Sequence, residues 1–341
     1  MISSEIPGRC SIDQAAFISR HASRYPDPSA YTQWTNLSAR IHATDFSTSA
    51  PELQFLKTWE PVLTYPNQEM SQISITGYKE LYNVGVTYRF RYGTGFYEDN
   101  MNFTLWCNLY PAAPRVVDSA RLFARGYMGP NTTTLGNVYA INSSDPRSVA
   151  NSLAPSDICP LYVDSGGSPE IDTWQNIYLP PIQSRLNRQI RGGFQFTTTD
   201  VSIVPYLCGF ETQITGSRSP YCDISSEEEI LQYEYGQDLR YWYGTGLRTG
   251  IEKNMMLPVL KGLIQRFVDG PNATYLNFDG TTFVSNTLIV GFTNDGQINQ
   301  LAAEIGILIT KLSCQQRMSH QTAFSERATS SPCEAPFHLR H

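Results

Sequence analysis

The stretch NTLIVGFTNDGQINQLAAEIGIL, residues 286–308, constrains the fold more than any other part of the chain. A short apolar run rich in branched residues reads as a buried strand; TND supplies a polar turn, and the apolar residues after it recur at helical spacing. Strand, polar turn and helix in that order form an α/β unit. A second strand is expected over 15–19 in CSIDQAAFISRH, ending in the basic pair Arg20 and His21 where the chain must turn. Open α/β sheets bind ligands beyond the carboxyl ends of their strands. The turns after ISRH and after VGFT are therefore expected to face one cleft.

At 341 residues the chain suits a large α/β domain or a core with an inserted lobe, and 41% hydrophobic residues exclude disorder for its bulk. The net charge of −6, with only five lysines, leaves no broad cationic surface for nucleic acid. No apolar run approaches the roughly 18 residues that span a bilayer, so no membrane is expected. The first residues, MISSEIPGRC, show neither the basic nor the apolar region of a signal peptide. Other features look secreted: glycosylation sequons at Asn36, Asn102, Asn131, Asn142 and Asn272, and only 16% charged residues. The seven cysteines include no CxxC pair, which favours disulfides over a zinc site. Neither a metal nor a cofactor is expected.

Between 26 and 100 the pattern is polar, aromatic and loop-rich, with helical stretches near 36–43 and 51–59, and reads as an insertion. ARLFARGYM reads as a helix capped by Asp118 or Ser119. Another helix is expected over 226–243, capped by Ser225 or Ser226, with Glu227, Glu228 and Glu229 in a first turn that favours carboxylates. That acidic run is a solvated helix start rather than a catalytic group. NMMLPVLKGLIQRFVDG reads as a helix stopping at Gly270, its methionines in the core.

The chemistry concentrates in SRHASRYPD, residues 19–27, where His21 stands between Arg20 and Arg24 and Pro26 fixes the exit of the turn. A neutral imidazole beside two guanidiniums is a poor acid but a competent nucleophile toward a phosphoryl group, whose charge the arginines hold. A surface basic turn with an incidental histidine has the same local sequence, and the spacing alone leaves both readings open.

RHASRYP resembles the RHGxRxP signature of the histidine acid phosphatases, a branch of the phosphoglycerate-mutase-like superfamily that includes fungal acid phosphatases and phytases. Further similar segments occur in the family's order: RVVDSARLFARGYMG at 115–129, CGFET at 208–212, YCDISSEEEILQYEYGQDLRYWYGTG at 221–246 and FTNDGQINQLAAEIG at 292–306. The resemblance implies a three-layer α/β/α core with a mainly helical inserted lobe. Residues 1–34, 101–145 and 265–306 would form the core, and 35–100 and 146–264 the lobe. His21 would form a phosphohistidine, Arg20, Arg24 and Arg115 would bind the phosphoryl oxygens, and Asp295 would protonate the leaving alkoxide. The family's histidine before that aspartate is here Asn294, which can donate a hydrogen bond but carries no charge. The signature's glycine is Ala22, tolerable only without a positive φ.

The resemblance thus implies an acid phosphatase for small phosphomonoesters, working at acid pH because Asp295 must hold a proton as the ester breaks. The alternatives are a phytase, which the scarcity of lysine disfavours, and an impaired phosphate binder, which Asn294 suggests. A structural glycoprotein would leave the arginine-flanked histidine unexplained. The family implies a secreted or cell-wall location, with an upstream signal peptide and an internal start at Met1.

After Gly306 the resemblance is expected to end, leaving 307–341 as a non-family tail. Codons for 327–336, read from their third bases, permit Ser-His-Phe-Val-Pro-Met-Arg-Gly, similar to the family's HFVPMxG strand; a reading-frame change near residue 307 is the expectation. Cys10, which matches a family cysteine, would then have lost a C-terminal partner, and Cys159 likewise; Cys208 and Cys222 remain a candidate local pair.

Overall fold

The computed structural model describes residues 6–307 apart from residues 7, 94–95, 98–100, 110–113, 143–144, 146–152, 165, 249 and 278. Its strands are β1 (Ala15–Arg20), β2 (Phe46–Thr48), β3 (Phe103–Leu109), β4 (Gly136–Asn142), β5 (Ile190–Gly192), β6 (Thr274–Leu276), β7 (Thr282–Val284) and β8 (Leu288–Thr293). Its α-helices are α1 (Pro28–His42), α2 (Pro66–Glu69), α3 (Ile75–Tyr92), α4 (Arg115–Met128), α5 (Thr132–Leu135), α6 (Ser168–Arg188), α7 (Thr198–Thr215), α8 (Glu227–Gly244), α9 (Leu257–Asp269) and α10 (Asp295–Glu304).

Strands β1, β8, β3 and β4 lie side by side in that order and run parallel, with β8 buried along its whole length. Successive side chains of a strand point to opposite faces. Leu288, Val290 and Phe292 of β8, with Phe103, Leu105 and Cys107 of β3, therefore join one core with Val116, Ala120, Phe123 and Tyr127 of α4. Trp106 of β3 points the other way, toward Ile141, Leu153, Met256 and Val259. Helices α3 and α4 thus cover one face and α9 and α10 the other, giving the expected three layers. A separate helical core gathers Trp34, Leu37 and Ile41 of α1, Trp174, Tyr178 and Leu186 of α6, Val204 and Leu207 of α7, and Leu239 of α8.

Packing divides the chain differently from the sequence expectation. Helix α3, expected within the lobe, places Leu81 in the sheet-side core, where it packs along α4. Trp34, expected in the core segment, lies in the helical cluster, and Met256 and Val259 of the expected lobe pack beneath the sheet. Helix α4 begins at Arg115 with Pro114 at its cap, one turn before the expected start. Proline suits a first helical turn, and the Ser119 hydroxyl is occupied elsewhere. Helix α8 is capped by Ser226, whose hydroxyl accepts from the Glu229 N–H while the Glu229 carboxylate accepts from the Ser226 N–H. Cys208 and Cys222 form a disulfide; Cys10 is exposed, and residues 308–341 lie outside the described residues.

The α3–α4 contact depends on glycine. A Cβ on Gly126 would stand 2.0 Å from the Tyr82 carbonyl oxygen, and one on Gly85 2.2 Å from that of Phe123. Neither backbone can yield without moving a helix. Gly126→Ala is therefore expected to destabilise the fold by about 1–3 kcal/mol despite alanine's better helix propensity. Gly262→Ala, with nothing within 4 Å of its Cβ position on α9, should instead stabilise it by up to about 1 kcal/mol. Chemical denaturation of the two variants checks the opposite signs.

Candidate active site

Register places the site. Arg20 of β1 pairs with Thr293 of β8, and the His21 N–H donates to the Thr293 carbonyl at 3.1 Å, so both strands end at one level. Beyond them His21 leads into the signature turn, and Asn294 and Asp295 open α10. The two turns expected to face one cleft do meet there, as the Arg20–Asp295 pair shows.

Helices α3, α4 and α7 all hold the turn. The Ala22 N–H donates to Ser119 Oγ at 3.0 Å, and that hydroxyl donates to the Arg115 carbonyl at 2.7 Å. The Ser23 N–H and hydroxyl both donate to the Glu80 carboxylate, at 3.0 and 2.9 Å. Gln213 of α7 donates from Nε2 to the Arg24 carbonyl at 2.8 Å, and its Oε1 accepts from Ser74. Gly77 allows α3 to approach, since a Cβ there would lie 2.1 Å from the Ser23 carbonyl oxygen. Ala22 is not among the described non-glycine residues with positive φ, so its Cβ meets no backbone penalty.

His21 is 4% exposed. Its Nδ1 lies 2.8 Å from the Ala22 carbonyl oxygen, which can only accept, so Nδ1 carries the hydrogen and Nε2 presents a lone pair. Burial, then the charges of Arg20, Arg115 and Arg24, hold the imidazole well below its usual pKa, while its bond to Ala22 opposes them only in part. The ring is neutral and its free nitrogen nucleophilic.

Three guanidiniums gather around it. Arg20 Nε stands 3.7 Å from Asp295 Oδ2. Arg24 donates to Asp27 Oδ2 at 2.8 Å and to the Tyr25 carbonyl at 2.9 Å. Arg115 is depressed by burial and then by the neighbouring positive charges of Arg24 and Arg20, and its buried Nε has no hydrogen-bond partner among the described residues. An unpaired buried donor beside two other cations is a cost that a bound oxyanion would relieve.

Asp295 accepts from the Tyr241 hydroxyl at 2.6 Å on Oδ2 and from the Gly296 N–H at 3.1 Å on Oδ1. Burial pushes its carboxyl up, but Arg20, the Tyr241 hydroxyl and the Gly296 N–H act against that, and the net effect is a lowered pKa. Asn294 caps α10 by its backbone, and its side chain makes no capping bond. Its amide is not committed to the helix.

The expected residues His21, Arg20, Arg24, Arg115, Asn294 and Asp295 thus cluster around the ends of β1 and β8 and the starts of α4 and α10. Sequence reasoning missed Ser119, Glu80, Gln213 and Tyr241. Ser119 and Tyr241 sit inside two of the recognised segments, the one signal that was available for them.

Comparison with known proteins places this geometry. The family model of the histidine phosphatase superfamily (branch 2) matches residues 11–331, and the chain belongs to that family. The match runs past Gly306 into the segment expected to be a non-family tail. In particular, the chain is similar to the thiamine-repressible acid phosphatase pho4 of Schizosaccharomyces pombe, 28% identical across 88% of this chain and 64% of that protein. It is also similar to the phytase PHO112 of Candida albicans, 26% identical across 90% and 64%. Among solved structures, the phytase from D. castellii superimposes with a TM-score of 0.77 at 25% identity, over 91% of this chain and 66% of that one. The chain spans 53–64% of the length of the first curated relatives it matches.

The Ser119 contact gives a stability prediction. Ser119→Ala strands the buried Ala22 N–H and is expected to cost about 1–3 kcal/mol. Thermal or urea unfolding of the variant against the parent chain measures it.

Proposed function

We propose that this chain carries the catalytic centre of a secreted histidine acid phosphatase that cleaves small phosphate monoesters through a phosphohistidine on His21. The observation that carries this reading is the buried, neutral His21 with Nδ1 tied to a carbonyl and Nε2 free, ringed by Arg20, Arg24 and Arg115. The three arginines bind the phosphoryl oxygens and Nε2 attacks phosphorus. As the P–Nε2 bond forms, the P–O bond to the leaving group breaks and that oxygen takes the Asp295 proton. Water then attacks phosphorus, gives a proton to Asp295, and Nε2 departs. The amide of Asn294 donates to a phosphoryl oxygen. Secretion is supported by the sequons: Asn36, Asn102, Asn142 and Asn272 are exposed and Asn131 is half-buried. No helix among the described residues is long and apolar enough to cross a membrane.

The lowered pKa of Asp295 fits an acid-working enzyme once the substrate is considered. In the free site Arg20 holds the carboxylate ionised. A bound phosphoryl group draws on Arg20 and adds negative charge, both of which raise the Asp295 pKa and bring a proton onto it. That proton can equally arrive on a monoanionic ester. In either route one proton must be present, so kcat/KM is expected to fall as pH rises above about 6, where phosphate esters lose their second proton. His21, already neutral, contributes no matching loss at moderately acid pH. The test is release of phosphate from p-nitrophenyl phosphate between about pH 3 and pH 7 by this chain and its His21→Ala variant. Acid-side activity lost in the variant is expected; a folded, inactive chain stabilised by phosphate would move the reading to a non-catalytic binder.

The D. castellii structure favours a second reading, a phytase. Three arginines serve one phosphoryl group, which leaves broad monoesterase activity the preferred assignment, and comparing kcat/KM for phytate and for glycerol phosphate decides between them. Asn294 gives a further prediction. Asn294→His restores a charged donor where charge develops in the transition state, and is expected to raise kcat about tenfold to a hundredfold with little change in KM; steady-state kinetics at acid pH reads it.

A further inference from the structure

Among the described residues, Tyr241 is the one side chain outside the motif-derived set that hydrogen-bonds Asp295, and it does so from a different element. Its hydroxyl donates to Asp295 Oδ2 at 2.6 Å, while its backbone carbonyl accepts from Asn299 Nδ2 at 2.9 Å. Asn299 Nδ2 also donates to Thr245 Oγ1 at 2.8 Å. Asp295 and Asn299 lie one turn apart on the same face of α10. The end of α8 therefore grips the first turn of α10 at two points, the carboxylate at its start and the amide one turn later.

The charged and titratable groups that face Asp295 come from each neighbouring element. They are Arg20 and His21 at the end of β1, Arg115 at the start of α4, and Tyr241 on α8. Arg240, next to Tyr241, is engaged by Asp164. Of the two side chains that contact the Asp295 carboxylate directly, Arg20 is the one a phosphoryl group would compete for. Tyr241 is left as the side chain that holds the carboxyl while substrate is bound.

We propose that Tyr241 is a positioning residue for proton transfer, which fills a lone pair of Asp295 Oδ2 so that the transferable proton sits on Oδ1 and the carboxyl keeps one orientation as Arg20 turns to phosphate. The step balances as before: the P–O bond to the leaving group breaks, and the leaving oxygen receives the hydrogen from Oδ1. Tyr241 keeps its own proton throughout; burial and then the Asp295 charge push its phenol well above the usual value. It touches neither phosphorus nor the leaving group, and acts through Asp295 alone.

This inference rests on the proposed phosphatase reading, and its consequences can be separated from it. Removing a hydrogen bond to the ionised carboxyl raises the pKa of Asp295. In Tyr241→Phe the alkaline limb of kcat is therefore expected to move up by about one pH unit. The variant should also lose more kcat on glycerol phosphate, whose alkoxide needs the proton, than on p-nitrophenyl phosphate, whose phenolate leaves readily. A merely structural tyrosine would lower both substrates equally and leave the limb in place, and that result overturns the proposal. Carboxyl-carbon NMR titration, with the Asp295 signal identified by its absence in Asp295→Asn, reads the same shift without turnover. Asn299→Ala, which keeps the phenol but releases its backbone, should move the Asp295 titration the same way by less. An Asp295 titration unchanged in both variants sinks the role of Tyr241 even if the chain is active. Activity that survives His21→Ala sinks the phosphohistidine reading instead, whatever Asp295 does.

Discussion

The parallel pairing of β1 with β8 sets everything else. Because Arg20 lies opposite Thr293, the two strands release their chains at the same height, one into the histidine turn and the other into α10. A slip of one residue would turn every side chain of a strand to the other face, separating His21 from Asp295. Packing on both faces prevents it. Leu288, Val290 and Phe292 interlock with α4, and on the opposite side Gly291 leaves room for Ile18 and Leu153, whose methyl carbons lie 2.8 and 3.5 Å from where a Cβ would stand. The buried strand is thus less a passive core element than the ruler against which His21 and Asp295 are placed.

That register has an electrostatic consequence. It gathers Arg20, Arg24 and Arg115 within reach of one another's fields, in surroundings whose described residues leave the Arg115 Nε without a partner. Asp27 and Asp295 offset part of this charge, but a folded chain gains nothing from three neighbouring guanidiniums in the absence of an anion. Sites where local rules are broken while the surrounding fold is well satisfied are where function is expected. The contacts from Ser119, Glu80 and Gln213 are what let the fold sustain that strain, since they hold the backbone of residues 22–24 against charges that would otherwise push it apart.

Much of this was legible in the sequence because the informative signals are local. The apolar run of β8, its polar turn and the helical period of α10 are contiguous, as are the arginines around His21, and the ordered motifs linked them across the chain. What escaped depends on distance. Glu80 meets Ser23 across 57 positions and Tyr241 meets Asp295 across 54, and a glutamate or tyrosine on a helix carries no local mark of such a partner. Asp118 and Ser119 look like helix caps, yet Ser119 bonds the turn at Ala22, and the helix starts a turn earlier. The allegiance of α3 was hidden for the same reason: Gly85 matters only once α4 lies against it, and Gly77 only once the Ser23 turn does.

Asn294 shows how the charge count and the chemistry diverge. With His21 neutral, three guanidiniums and the carboxylates of Asp27 and Asp295 leave the free site with one net positive charge. Protonating Asp295 raises it to two, which balances a phosphate dianion without any cation at position 294. A neutral amide there is therefore adequate for holding the ground state, where a hydrogen bond to a phosphoryl oxygen is all that is asked. In the proposed reaction the deficit falls on the transition state, as charge moves toward the leaving oxygen and a fixed cation would be worth more than an amide dipole. The dipole of α10, whose N-terminus Asn294 caps, supplies some of that missing field from the backbone. On the proposed mechanism the asparagine thus separates binding from turnover: it spares the affinity of the site for phosphate and slows the step in which the ester breaks.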